Sequence, residues 1–422
     1  MLKDNVMGII LAGGAGKRLE HLTSDVRTQS AVPFGGKFRI IDFVLSSFFN
    51  SLIKKLYVLI QHKSISLSEH IQSNWAPRFG SKDEYIRVVG PVPPHWQKGS
   101  ADGIYQILSR IKIENPDYAA VFGGDQICSF DITDMLEFHK RNGADLTICA
   151  MKYPARKAAG RFGIAIPNSD GSLKSFDEKA ENPVCVRKDT TMISLGNYIF
   201  NKDALIEAVE EDAAVSDSES SHDFGRDVIP RMLRSGKYRI FVFDVSRAKH
   251  AYWHSIGTVD DYFDVSMQFI DLRKSTSTYN PDWPVYSVNT DNLPPVRFDE
   301  GDDGELPAVR KSIVSDGCVI RAERIEQSAL FPNVSIGSGT RIKKCVLFND
   351  VRVGDGCVLD KVISDKRVVV PSGVIIKNGK IERSKDFNPD DEPLFKALVE
   401  KTHFTDSGIA VISCYHDYSD RM

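Results

Sequence analysis

The sequence predicts a two-part protein of the α/β class: a Rossmann-like, three-layer domain on a mostly parallel sheet, followed by a parallel β-helix. Three observations carry this. Up to about residue 265, near-continuous apolar runs rich in β-formers alternate with helical patterns, as in strands buried on both faces and joined by crossover helices. From about 276 to 310 the chain turns rich in Pro, Asp and Asn and loses its periodicity, which reads as a linker with a solvated acidic loop at 299–305. Beyond it the sequence repeats itself.

In chain order, strands are expected at 7–11, 56–60, 119–122, 146–151, 198–200 and 238–243. A sheet of this kind takes its ligands at the carboxyl ends of its strands. In the last part, "NVSIGSGTRIKKCVLF" from Asn333 returns as "DVRVGDGCVLDKVIS" from Asp350, a shift of 17 residues. Ile336, Gly337, Gly339, Ile342 and Val346 recur as Val353, Gly354, Gly356, Leu359 and Ile363, and one coil earlier Val319, Ile325 and Ala329 keep the register. Aliphatics six apart, with small residues between, describe three short strands per turn of a solenoid whose coils bury their aliphatics against one another.

Charge narrows the function. Lys and Arg number 54 against 57 for Asp and Glu, a net of −3, so there is no global basic surface for nucleic acid, and any anion must be held locally. The opening "MLKDNVMGIILAGGAGKRL" fits neither a secretion signal nor a membrane span, so a cytoplasmic location is expected. Seven cysteines are scattered without a C-x-x-C pair, which suits free thiols better than disulfides or zinc. His62, His95, His222 and His254 show no metal-ligand spacing.

The chemistry begins in "IILAGGAGKRL". After Leu11 and Ala12, the glycines Gly13, Gly14 and Gly16 let the backbone approach a phosphate whose charge Lys17 and Arg18 can neutralise. The loop is neither a dinucleotide G-x-G-x-x-G nor a Walker loop. Followed by "AVPFGGKFRIIDFVLSS", "VLIQHKSISLSEHI", "GSADGIYQ", "FGGDQI", "FDEKAENP", "ISLGNYIF", "SSHDFGRDVIP" and "YWHSIGTVDDY", it resembles, in order, the signatures of the glucose-1-phosphate adenylyltransferase (ADP-glucose pyrophosphorylase) family.

The resemblance implies a nucleotidyltransferase domain over 1–275, a linker over 276–310 and a left-handed β-helix with a C-terminal tail over 311–422. It implies attack of the glucose 1-phosphate oxygen on the α-phosphorus of ATP, giving ADP-glucose and pyrophosphate for glycogen or starch synthesis. That displacement needs two substrates in line, Mg²⁺ across the phosphates and cations for developing charge. Asp125, closing the apolar run "AAVFGGD", is the metal-binding carboxylate and, with Arg18 and Lys179, the catalytic set. Leu11, Ala12, Gly13, Gly14, Gly16, Lys17, Gln61, Gly99, Ser100 and Asp102 fall on nucleotide positions. Gln97, Gly163, Glu178, Lys179, Ser194, Asp223 and Trp253 fall on the sugar phosphate side: Lys179 as a point cation, Glu178 and Ser194 as partners for hydroxyls, and Phe224 and Trp253 as an aromatic wall.

Several positions depart from the family pattern. Within the loop 22–31, "RTQSAV" keeps Arg27 but has Gln29 and Ser30 where the family has Lys-Pro; "WHSIGT" has Ser255 where it has a second metal carboxylate; Ala180 replaces a proline and Gln97 an aromatic residue. Loss of one cation acting on transition-state charge costs about 3–4 kcal/mol, a hundredfold or more in rate, unless Lys17, Arg18 or Lys98 compensates. Two readings stand at this point: an active adenylyltransferase, and a non-catalytic regulatory subunit that binds sugar phosphate or nucleotide and modulates an active paralogue. The resemblance also implies a homotetramer, or a heterotetramer with a paralogous subunit.

Overall fold

The computed structural model describes residues 4–23, 27–81, 83–91, 96–272, 280–288, 290 and 292–413. His95, Cys414, residues 24–26 of the 22–31 loop and 276–279, 289 and 291 of the expected linker lie outside the described residues. Contacts gather the chain into two compact units, one of 1–15, 43–253 and 282–285, the other of 16–42, 254–281 and 286–422.

The first unit is a nine-stranded sheet with helices between its strands. In chain order the strands are β1 (Val6–Leu11), β2 (Lys55–Leu59), β3 (Tyr85–Val89), β4 (Tyr118–Gly123), β5 (Leu146–Pro154), β6 (Gly163–Pro167), β7 (Leu173–Glu178), β8 (Thr190–Asn201) and β9 (Ile240–Asp244). β4, β1, β2 and β3 lie side by side and parallel, and β9 runs parallel to β5. The apolar runs of β1 and β4 are buried almost throughout, because helices cover both faces of a parallel sheet. Gly8 shows how tightly: a Cβ there would stand 2.5 Å from Leu56 Cδ2 and 2.8 Å from Phe48 Cε1.

β8 turns the other half of the sheet around, pairing antiparallel with β4, β5 and β6, while β7 pairs antiparallel with β6. The run expected at 198–200 is only the end of this 12-residue strand, whose register slips between Ser194 and Tyr198 around Gly196 at φ +69°. β3, β6 and β7 escape the sequence reading. β3 (YIRVV) and β7 (LKSFDE) leave most positions partly exposed, as sheet-edge strands do.

In the second unit, three stacks of short strands form the faces of the solenoid. The expected period holds from coil to coil: Ile336 lies beside Val353, Ile342 beside Leu359 and Val346 beside Ile363. One register expectation fails. The preceding coil is a residue shorter, so Ile320, not Val319, lies beside Ile336; Ile320 is fully buried and Val319 is 42% exposed. Arg297–Phe298 and Ala308–Arg310, inside the stretch read as linker, already pair with coil strands. Helix Glu392–Glu400 sets Phe395 and Leu398 against the coil core, and Ala410–Ile412 returns as a strand beside Val362–Ser364.

Residues 16–42 and 254–281 group with the coils for visible reasons. Tyr262, on helix Val259–Ile270, donates its hydroxyl to Pro33 O at 2.7 Å, and Phe269 meets Phe34 edge-on at 5.0 Å. Arg27 grips Asp365 with two guanidinium nitrogens at 2.8 and 3.1 Å and donates a further bond to Leu22 O, with both side chains buried. Beside them, burial and the charges of Arg39 and Arg27 pull the Lys366 ammonium down to about 8. Removing one partner of a buried ion pair strands the other, so Arg27→Met is expected to cost about 3–5 kcal/mol in urea unfolding, whereas Arg27→Met with Asp365→Leu recovers most of that loss.

Candidate active site

The site grows from a shared edge. β1, β2 and β4 are adjacent, parallel and in register at their carboxyl ends, with Leu11 beside both Leu59 and Gly123. Two backbone bonds fasten the chain just beyond those ends: Ala12 N donates to Leu59 O at 2.8 Å, and Gly124 N donates to Leu11 O at 2.9 Å. From the three strands emerge the glycine loop, Gln61 and Asp125. Gln61 and Gln97 form a two-bond pair, Gln97 N donating to Gln61 Oε1 at 2.7 Å and Gln61 Nε2 to Gln97 O at 3.2 Å. Gly13 closes against that pair, since a Cβ would lie 3.2 Å from both Gln61 Cβ and Gln97 Oε1. Gly14 faces open space, and Asp125 is exposed.

Beneath Asp125 runs a buried polar chain that sequence reasoning missed. Asn197 Oδ1 accepts from Gly123 N at 3.2 Å and from Gln126 Nε2 at 2.6 Å, and Gln126 Oε1 accepts from Trp253 Nε1 at 2.6 Å. Asn197 is fully buried and Gln126 nearly so. Their signal was present, two amides among apolar residues in "GGDQI" and "LGNY", where a buried amide must find partners.

Of the residues expected on the sugar phosphate side, Gly163, Glu178 and Asp223 come together. Glu178 Oε2 occupies space that a Cβ on Gly163 (2.7 Å) or on Gly225 (2.5 Å) would need. Burial, then the Asp223 charge, push the Glu178 carboxyl above its usual range, against the pull of Lys179 and Arg226. Lys179 follows β7 in a left-handed conformation, φ +56°, with its N–H on Phe162 O at 3.1 Å. Ser194 sits at the β8 irregularity, its Oγ accepting from Gly196 N at 3.3 Å. Trp253 is half-buried and edge-on to Phe162, with ring centroids 5.9 Å apart. Phe224 corrects an expectation: it is no part of an aromatic wall, being buried in the core against Tyr198 and Phe200.

The turn Gly99–Ser100–Ala101–Asp102 is bound to that same loop. Ser100 Oγ donates to Asp223 Oδ2 and accepts from Phe224 N, both at 2.9 Å, while Asp223 Oδ1 accepts from Gly225 N and Arg226 N. Gly99 is extended, and a Cβ would come within 2.3 Å of His222 O. Asp102 Oδ2 accepts from Lys98 N and Gln106 Nε2. His222 is a buried strut between Asp212 and Asp217, and Lys98, read as a spare cation, is held by Asp217 at 2.6 Å.

The remaining expected residues belong to the second unit. Gly16, φ +67°, opens the short turn Lys17–Leu19, in which Lys17 and Arg18 are exposed. Gln29 Nε2 donates to Ile256 O at 2.6 Å, Ser30 is buried and Ser255 is half-buried. Among the described residues no group of three or more His, Cys, Asp or Glu could hold a metal, and no helix is long and apolar enough to cross a membrane.

The crowding of Glu178 gives a pH prediction. Its carboxyl holds a proton more tightly folded than unfolded, so its contribution favours the fold at low pH and is lost as pH rises through the raised value. Glu178→Gln is therefore expected to raise the melting temperature at pH 8 more than at pH 4, checked by scanning calorimetry at both pH values.

Residues 7–271 match the family model described as nucleotidyl transferase, and 294–392 match that described as GlmU-like, C-terminal hexapeptide. The chain is 38% identical over 399 residues to a glucose-1-phosphate adenylyltransferase of Aliivibrio fischeri (strain MJ11), covering 92% of this chain and 96% of that one. It is 40% identical over 359 residues to the Thermus thermophilus protein of that name, covering 80% and 84%, and 36% identical over 423 residues to the Anaeromyxobacter one, covering 96% and 97%.

Proposed function

The chain belongs to the nucleotidyl transferase family and, within it, to the glucose-1-phosphate adenylyltransferases, and on that premise we propose that it joins ATP and glucose 1-phosphate into ADP-glucose, releasing pyrophosphate. An oxygen of the sugar phosphate forms the new bond to the α-phosphorus, and the bond from that phosphorus to the departing pyrophosphate breaks. The observation that carries the reading is the common edge of β1, β2 and β4, which brings a glycine loop, the Gln61–Gln97 pair and an exposed carboxylate to one end of the sheet.

Each residue then has a role. The backbone N–H groups at Gly13 and Gly14 meet phosphate oxygens, the open space at Gly14 leaving room for them. The loop's cations in sequence, Lys17 and Arg18, take the developing charge. Gln61, fixed by Gln97, presents the adenine side. Glu178 accepts from sugar hydroxyls, an interaction that offsets the cost of its burial, while Ser194 bonds another hydroxyl and Lys179 attracts the sugar phosphate. Asp125 fits Mg²⁺, which keeps most of its water and takes one or two protein carboxylates beside substrate phosphates; its exposure at the strand end suits that coordination. When bound, the ion spreads charge over the phosphates. In this reading the chain acts in glycogen or starch synthesis.

The test is pyrophosphate release by the purified chain with ATP, Mg²⁺ and glucose 1-phosphate. Turnover is expected and should fall at least about a hundredfold in Asp125→Ala; a wild-type rate equal to that of the variant rejects the proposal in favour of a regulatory subunit. Gln29→Lys with Ser255→Asp should raise the rate by about tenfold or more if those departures limit turnover, and no gain in the steady-state rate means that they do not.

A further inference from the structure

Two adjoining segments of the first unit carry four cations that neither the fold nor the proposed chemistry uses. Residues 152–161 end β5 and lead to β6, and residues 179–189 join β7 to β8, the strands that bear Glu178 and Ser194. Backbone bonds hold the segments side by side. Ala155 N donates to Asp189 O at 2.8 Å, Gly160 N to Ala180 O at 3.0 Å and Lys179 N to Phe162 O at 3.1 Å. The first segment contains Lys152, Arg156, Lys157 and Arg161 and no acid; the second contains Lys179, Arg187 and Lys188 with Glu181 and Asp189. Seven cations against two carboxylates give a local net of +5 in a chain whose whole is −3.

Some of these cations are engaged: Lys152 reaches Asp244 at 3.8 Å, and Arg161 lies over the Phe162 ring, 5.3 Å from its centroid. Arg156, Lys157, Arg187 and Lys188 are exposed, and among the described residues none of the four forms an ion pair. Lys98, Lys112 and Lys237 of the same unit, by contrast, each hold a carboxylate. The pocket around Glu178 has no positive charge to spare. Its carboxylates, Glu178, Asp223 and Asp177, outnumber the cations Lys179 and Arg226 that act on Glu178. An anion arriving from solvent is therefore not drawn in by the pocket itself. Uncompensated positive charge stands instead on the four exposed side chains of the two segments beside it.

We propose that Arg156, Lys157, Arg187 and Lys188 form an electrostatic collar that speeds the capture of glucose 1-phosphate, acting on the rate of encounter without touching the bound ligand. The inference rests on the proposed function, because it takes the Glu178 pocket as the sugar phosphate site. The pull of clustered charges on a phosphate dianion reaches about one Debye length, about 10 Å at 0.1 M salt, and raises association by about tenfold or more. Charges at a rim change association and its salt dependence, whereas groups in contact with the ligand change its escape.

The test is a ³¹P NMR line-shape titration of glucose 1-phosphate with the full chain, which yields association and dissociation rates together. In Arg156→Gln/Lys157→Gln/Arg187→Gln/Lys188→Gln at about 20 mM salt, association should fall about tenfold while dissociation changes less than about twofold, and the two proteins should converge at about 0.5 M. Arg156→Lys/Lys157→Arg/Arg187→Lys/Lys188→Arg keeps every charge and alters every hydrogen-bonding geometry, and should associate like wild type. Equal association rates for wild type and the Gln variant at low salt overturn the proposal and leave four solvated side chains. Faster dissociation with unchanged association also overturns it and puts the cations in contact with the ligand. A wild type that shows no binding of glucose 1-phosphate in the same titration rejects the functional reading itself, and this inference with it.

Discussion

The first unit depends on three parallel strands stopping together. Leu11, Leu59 and Gly123 end side by side, and the bonds from Ala12 N to Leu59 O and from Gly124 N to Leu11 O deny the adjoining loops any freedom to drift along the strand axis. Unfastened, a glycine-rich loop samples many conformations and loses much entropy on meeting a ligand. Fastened at its root, the loop leaves the sheet at the same level as Asp125.

The residues around Glu178 use a different device. Glu178 is held in a space bounded by two glycines, beside a second carboxylate, at a cost that its raised affinity for a proton records. A half-buried carboxylate beside a second acid is a candidate for a functional site. Asp223, its neighbour, accepts from Gly225 N and Arg226 N through one oxygen and from Ser100 Oγ through the other, so its carboxylate is held in place. Similarly, the Asn197–Gln126–Trp253 chain gives its buried amides partners and holds the indole N–H of Trp253.

Much of this was legible in the sequence, for identifiable reasons. The apolar runs at 7–11 and 119–122 read as buried strands, and the 17-residue repeat of aliphatics with glycines favoured stacked coils over a β-sandwich, so the α/β class and the solenoid were within reach. Edge strands β3 and β7 were not, because β7 is mostly polar and β3 is a five-residue run broken by Arg87. Val319 was misassigned because one coil is shorter by a residue, a slip invisible until strands are paired. Phe224 resembled a sugar platform by its neighbours in sequence, and only its packing against Tyr198 and Phe200 reveals a core residue.

The central claim is that the first unit's sheet edge supports adenylyl transfer despite Gln29, Ser30 and Ser255. It is tested most directly by mass-spectrometric detection of the nucleotide sugar itself, in a single turnover of concentrated protein with ATP, Mg²⁺ and isotopically labelled glucose 1-phosphate. The account predicts ADP-glucose carrying the label, formed in one-to-one ratio with pyrophosphate. Labelled glucose 1-phosphate that binds and is recovered unchanged after many minutes would contradict it.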